Sequence, residues 1–398
     1  MNYTRLEKKK WQKSYIKSVF KCAKSKKEKY TNVLLENLDI VNKKSEYIPK
    51  RLFKFYTPTS DNILDIKCKK LWLSHPDSFN DPYDCKVGYD SLGFEKTIVL
   101  DYIFKKHCVE SDNSLFGFTK SEIEKLSRAT TSWERYNSIF SIDYYEFLFY
   151  HLLRKKDEKF QRTIRTFIQS TNEGIENQVA KIRKTNIRVA CFCNLNDEEF
   201  LKKNQMWAHY ADNHRGFCVE YDITPLKNEL AFKHDYFRYD DTKEEYLDER
   251  REVILKGGLF PLIYTSNRVS IPISRLVKLH SAEQLDLDND NYYDELLYKT
   301  YITKSSVWSY EKEWRFILDD KICDYYDNKI PFPYIKKIYL GCRMEKRYIE
   351  LLLDIAEENN INIVFMREDG HKYNLNADSG SLYKWEKESK MYNYPYKY

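Results

Sequence analysis

Three short segments constrain this chain more than anything else in it: LWLSHPDSFNDPYDC at 71–85, MWAHYADNHRGFCVEYD at 206–222 and WSYEKEWRFIL at 308–318. Each crowds aromatic and ionisable residues beyond what a core strand or a solvated helix requires, and each holds a β-rich run. A sheet with a polar site gathered on it is the expectation. The rings also demand an interior, since 34 Tyr and 22 Phe stand against 10 Gly and 10 Pro. Aromatic burial on that scale offsets the conformational entropy of a chain with 32% charged residues, which excludes a disordered protein.

At 398 residues a chain buries one large core or two modest ones. The pattern favours a main domain over 49–377, a basic helical segment at 1–48 before it and a Tyr- and Lys-rich tail at 378–398 after it. LFKFYT at 52–57 alternates as a strand. Pro58, Ser60, Asp61 and Asn62 supply turn and cap chemistry for a helix reaching Lys69, and LWLS follows as a second strand. Helical spacing from 94 to 184 predicts a large helical insertion. IRVACFC at 187–193 and GFCVEYD at 216–222 read as strands around a helix over 197–213. A charged helix is expected over 240–256, a strand from Pro261 and helix again from Ile273 to Lys304. Strands EWRFIL, IKKIYLG at 335–341 and NIVFMRE complete the pattern, with a helix over 345–360. The fold class is α+β with a mixed or antiparallel central sheet.

The net charge of +6 is unevenly spread, because eleven Lys and Arg face only Glu7 and Glu28 within residues 1–30. This is either a solvated helix face or a surface for an acidic or nucleic-acid partner. No apolar run approaches the roughly 18 residues of a membrane span, and the lysine-rich start lacks the apolar stretch of a secretory signal. Nine scattered cysteines fit reduced thiols, so a cytoplasmic protein is expected.

Glu311 and Glu313 lie two residues apart at the expected start of a strand, which projects both to one face together with Arg315. Two carboxylates that close raise one pKa unless a cation intervenes, and Arg315 can supply it. An edge-strand ion-pair ladder is the plain alternative. Asn80, Asp81 and Asp84 fall in a Pro-containing turn, where Asx side chains cap backbone; Asn80 could instead hold an amide or a ribose. In the helix of MWAHYADNH, Trp207, Tyr210, Ala211 and His214 share one face and His209 turns with Gln205 and Asn213 to another. His209 can serve as acid, base or ribose ligand, or as a satisfied structural histidine. Cys191, Cys193, His209, His214 and Cys218 cluster in sequence, but His209 and His214 diverge by about 140° around a helix, so no metal site is expected.

The three segments, in this order, resemble the bacterial family known as domain of unknown function 2971, from about Arg51 to about Arg367. The Glu-x-Glu pair opening a late strand also resembles the signature of the ADP-ribosyltransferases. That second resemblance implies that Glu313 engages the nicotinamide ribose of NAD and Glu311 assists the acceptor. The positions nearest the remaining signature are Lys54 or Tyr56 in the first strand and Ser74 in the second, although the first strand holds no Arg or His. Trp72, Asn80, Asp81, Trp207, Tyr210 and Arg315 would line the NAD site, with His209 as a further catalytic group. The implied reaction cleaves the nicotinamide glycosidic bond, with transfer to a nucleic acid, a protein or water, as in a toxin or phage-defence effector. A metal-dependent nuclease on Asp81, Asp84, Glu311 and Glu313 is the competing enzyme, and a non-catalytic recognition module the competing non-enzyme. On the leading reading, deletion of 1–48 alters regulation and leaves NAD cleavage intact.

Overall fold

The computed structural model describes residues 11–12, 14–19, 21, 44–103, 158–183, 187–228, 232–240, 245–253, 258–281 and 291–378. Most of the 1–48 segment, the middle of the 94–184 insertion and nearly all of the tail lie outside them. In chain order the strands are β1 (Arg51–Tyr56), β2 (Lys70–Trp72), β3 (Gly88–Tyr89), β4 (Ile187–Cys193), β5 (Phe217–Asp222), β6 (Phe232–Asp240), β7 (Glu245–Val253), β8 (Leu259–Pro261), β9 (Ile263–Thr265) and β10 (Ser270–Ile271). They continue as β11 (Thr303–Ser305), β12 (Glu313–Asp319), β13 (Lys329–Pro331), β14 (Ile335–Leu340), β15 (Asn362–Glu368) and β16 (Leu375–Asp378). The helices are α1 (Ser60–Lys67), α2 (Ser91–Ile103), α3 (Glu158–Arg183), α4 (Asp197–Leu201), α5 (Asn204–Tyr210), α6 (Thr224–Asn228), α7 (Ile273–Ser281), α8 (Asn291–Tyr301), α9 (Asp320–Tyr325) and α10 (Lys346–Asn359).

The chain divides into two compact units, Met1–Asp81 with Asn186–Ser266 and Ile302–Tyr398, and Pro82–Thr185 with Asn267–Tyr301. The first holds an eight-stranded sheet in the order β16-β15-β14-β5-β1-β4-β12-β8. Its strand pairs are antiparallel except β14 with β15. The mixed α+β class expected from the alternating runs is therefore present.

Strand alternation sorts the first unit's side chains onto two faces. Leu52, Tyr56, Phe192, Phe217, Val219, Trp314 and Phe316 pack on one face with Ile63 and Ile66 of α1 and Leu352 and Ile355 of α10. The other face carries Phe53, Phe55, Cys193 and Cys218 under Phe200 of α4 and Met206 and Trp207 of α5. Register sets the second face. Phe53 and Glu313 both lie opposite Cys193, and Arg315 lies opposite Cys191, so the charged residues of β12 project with Phe53 and Cys193.

Several elements depart from the sequence expectation. Within the charged stretch 240–256, Glu245–Val253 forms strand β7, paired through nine residues with β6, because cross-strand pairing overrides the helix preference of its Glu, Arg and Leu. The helix expected to reach Lys304 stops at Tyr301, and Lys304 lies in β11, parallel to β9. The 197–213 helix breaks into α4 and α5, and β13 and β16 were not foreseen. Among the described residues no helix is long and apolar enough to cross a membrane.

The second unit is mainly helical. Side chains of α2, α3, α7 and α8 close around Val87, Phe94, Val179, Leu276 and Leu296, and the Arg183 guanidinium donates to the Val87 carbonyl at 2.8 Å.

The basic amino-terminal stretch contributes to the core of the first unit. Tyr15, Val19, Lys44 and Ile48 are buried, Trp11 stacks on Tyr47 at 4.1 Å, and Lys44 Nζ donates to the Leu259 carbonyl at 2.6 Å while lying 3.9 Å from the Phe260 ring centre. Deletion of residues 1–48 is therefore expected to destabilise the fold by more than about 3 kcal/mol, read as a lowered urea midpoint. An unchanged midpoint would restore the view of this stretch as a detachable regulatory arm.

Candidate functional site

Three local devices bring Glu311 and Glu313 together. β11 runs parallel to β9 with Lys304 beside Tyr264. The chain then turns through a 3₁₀ helix, Ser306–Glu311, and Lys312 adopts a left-handed φ of 48° before β12 begins at Glu313. The two carboxylates therefore converge through a reversal at Lys312 rather than through strand alternation, which corrects the expectation that both sit on one strand. A lysine in that conformation costs on the order of 1–2 kcal/mol. Asn194 offsets part of this by donating its backbone N–H to the Lys312 carbonyl at 3.0 Å, and Lys312 Nζ pairs with Glu199.

The result is a buried charge network. Lys304 Nζ donates to Glu311 Oε2 at 2.7 Å and to Glu313 Oε2 at 2.9 Å. Arg315 Nε donates to the other oxygen of Glu313 at 2.6 Å, and Tyr210 OH to the other oxygen of Glu311 at 2.5 Å. Tyr264 OH accepts the backbone N–H of Glu313 at 2.8 Å. Glu311 is 2% exposed, Glu313 3% and Arg315 0%.

The environments of the two carboxylates pull their pKa values apart. Burial raises Glu311 to about 7 against the pull of Lys304, with the charge of Glu313 pushing the same way as burial. Glu313 is also penalised by burial, but Arg315 and Lys304 outweigh that and hold it well below the usual carboxylate range. Burial raises Tyr210 and Tyr264, both of which keep their protons at neutral pH, and raises the Cys191 and Cys193 thiols beside the network.

Of the residues singled out from sequence, the structure joins Tyr210, Glu311, Glu313 and Arg315. His209 is exposed, with its ring 6.2 Å from that of Tyr210. Lys54 and Tyr56 have the opposite strand parity: Tyr56 OH shares a 2.6 Å hydrogen bond with Tyr221 OH, and Lys54 Nζ lies 3.5 Å from the Cys191 carbonyl and 5.3 Å from the Tyr56 ring centre. Burial lowers the pKa of Lys54. Trp72 is exposed and donates to Ser74 Oγ at 3.1 Å, while the Ser74 backbone bridges Val189. Asn80 is exposed and Asp81 buried. Trp207 is wholly buried, edge-on to Phe55, and its indole N–H finds no hydrogen-bond partner among the described residues. Lys304, Tyr264 and Trp308 were not singled out. Trp308 opens the third segment, Tyr264 falls in the strand expected from Pro261, and Lys304 had only its proximity to the third segment as a signal, because the expected helix through it masked its strand register.

These features define an α+β protein with a buried, hydrogen-bonded acid pair at one end of its sheet. Residues 206–316 match the family model described as Protein of unknown function (DUF2971), and over that stretch the resemblance read from the sequence is shown. The match spans the second dense segment, most of the third, and Tyr210, Tyr264, Lys304, Glu311, Glu313 and Arg315. No curated protein and no solved structure matches the chain.

Removing Lys304 leaves two buried carboxylates with one cation fewer, so Lys304→Met is expected to destabilise by about 3–5 kcal/mol in urea unfolding. A loss below about 1 kcal/mol would show the network to be solvated. The pH dependence has a definite sign. Glu311 binds its proton more tightly folded than unfolded, so its contribution is complete below the ordinary value of 4.5 and is lost as pH rises through about 7. Glu313 contributes above 4.5 and its share is lost as pH falls. Stability of the wild type should thus decline by on the order of 2 kcal/mol between about pH 5 and 8, and Glu311→Gln should flatten that decline.

Proposed function

We propose that the protein is an enzyme of ADP-ribosyltransferase type that breaks the bond between nicotinamide and ribose in NAD and passes the ADP-ribosyl group to a nucleic acid, a protein or water. The observation that carries this reading is the pair of carboxylates on one ammonium, one kept ionised and the other poised near neutrality. Environments that separate two carboxyl groups in this way assign acid–base roles. Because both bond the same Lys304 ammonium, the two carboxylates act as one coupled acid pair.

The resemblance gives the ribose contact to Glu313. Its bonds to both Lys304 and Arg315 make it instead the anchor that fixes the two cations. Glu311, held by Lys304 and by half-buried Tyr210, takes the acid–base step. In that step the C–N bond breaks with its electron pair passing to the pyridine nitrogen, so that neutral nicotinamide leaves. The acceptor oxygen bonds to the ribosyl carbon, and its proton passes to the ionised fraction of Glu311. A base titrating near 7 is matched to neutral pH. Such an activity suits a cytoplasmic toxin or phage-defence effector, with the lysine-rich residues 1–30 meeting an acidic or nucleic-acid partner. The nuclease reading lacks comparable support, since Lys304 and Arg315 already hold the carboxylate oxygens that a divalent metal would need.

Purified protein incubated with labelled NAD at neutral pH should release nicotinamide, and Glu311→Gln should slow release by about 10²- to 10⁴-fold without lowering the melting temperature. NAD left intact by the wild type, or cleaved equally fast by the variant, would overturn this function.

A further inference from the structure

Lys54 is a cation of the central sheet with no acid beside it. It lies in the middle of β1, registered opposite Val219 of β5, on the face that also carries Leu52, Tyr56 and Phe192. Among the described residues its ammonium meets one hydrogen-bond acceptor, the Cys191 carbonyl at 3.5 Å, and no carboxylate within 4 Å. The ring centres of Tyr56 and Phe192 lie 5.3 and 6.0 Å from the same nitrogen. The residue is half-buried rather than closed off.

Strand pairing explains how the side chain comes to this place. β1 registers with β5 over all six of its residues but with β4 only where Phe53 faces Cys193. Four residues earlier on β4, Val189 exchanges backbone hydrogen bonds of 2.8 and 2.9 Å with Ser74, on the edge that β12 leaves free. Cys191, midway between, is registered with neither Phe53 nor Ser74, and the Lys54 ammonium reaches its carbonyl.

We propose that Lys54 is a reactive amine that condenses with a small aldehyde or ketone to form an imine. The neutral amine attacks the carbonyl carbon, a C–N bond forms, and the carbonyl oxygen leaves as water with the two amine hydrogens. A lysine is a nucleophile only without its proton, and an ammonium held among apolar groups sheds that proton readily. Burial lowers Lys54 in this way, against the opposing pull of Cys191, Cys193 and Glu313. Lys304 and Lys329, by contrast, are held as ammonium ions by carboxylates at 2.7 and 2.9 Å. A purely structural role explains the residue poorly, because one long hydrogen bond does not offset the desolvation of an ammonium. The carbonyl compound is small, since Tyr56 and Phe192 flank the amine. No step uses Glu311, so this chemistry stands or falls apart from the NAD reaction.

Wild type and Lys54→Met are treated at neutral pH with less than one equivalent of acetaldehyde per chain and with cyanoborohydride, then digested and mapped by mass spectrometry. In wild type Lys54 should carry the N-ethyl group about tenfold more than any other lysine, and its labelling rate should level off at a lower pH than that of exposed lysines. Lys54→Met should lose this label while the other lysines keep theirs. Labelling of Lys54 no faster than that of exposed lysines, or only after unfolding in urea, overturns the proposal. That comparison is made within wild type, so it decides the matter even if Lys54→Met fails to fold.

Discussion

Lys304 between two buried carboxylates is the interaction on which the rest of this structure depends. A carboxylate taken out of water without compensation is far costlier than the net stability of a domain of this size allows, and here two are removed within reach of each other. One ammonium, bonded to both at 2.7 and 2.9 Å, makes that arrangement tenable, with Arg315 and Tyr210 occupying the outer oxygens. The surrounding architecture reads as a means of delivering these groups. The β9–β11 ribbon brings Lys304 and Tyr264 side by side, the left-handed Lys312 turns Glu311 toward Glu313, and α5 lays Tyr210 across the end of the sheet.

The two faces of the sheet are unequal for a reason visible in strand parity. Even-numbered residues of β12, Trp314, Phe316 and Leu318, go to the large apolar core, whereas Glu313 and Arg315 go to the face that α4 and α5 cover. The α5 segment leaves through a tight turn that depends on Gly216, where a Cβ atom would stand 2.0 Å from the Tyr56 carbonyl. Asp212, Asn213 and His214, all at positive φ, lead into it. Backbone strain of this kind persists only where surrounding contacts over-determine it. Here hydrogen bonds from Gly341 to Gly216 and from Arg343 to His214 tie the turn to the end of β14.

Much of this was legible in the sequence. Strands β1, β4, β5 and β12 were readable because burial on both sides leaves runs such as IRVACFC with little competing signal, and β14 and β15 from their shorter apolar runs. The faces of α5 were also readable, since Trp207 and Ala211 are buried while Gln205, His209 and Asn213 are exposed. What failed depended on which strand came to pair with the segment. β7 looks helical until β6 is beside it, and Lys304 looks like the end of a helix until β9 claims it. The Glu-x-Glu pair does converge, through the reversal at Lys312 rather than through strand alternation. Tyr56 and Ser74 hydrogen-bond elsewhere, to Tyr221 and Trp72, while Lys54, of opposite strand parity, still feels the charge of Glu313; short-range spacing carries no information on which face a strand turns toward its neighbours.

The unequal acidity of the two glutamates is the central claim, and it is directly observable. Carboxyl-carbon NMR of protein carrying ¹³C-labelled glutamate, titrated across the neutral range and compared with Glu311→Gln, should show one resonance with a midpoint near 7 that is missing from the variant. If every glutamate in the folded wild type titrates in the ordinary carboxylate range, the two side chains are not divided by their surroundings and the account fails.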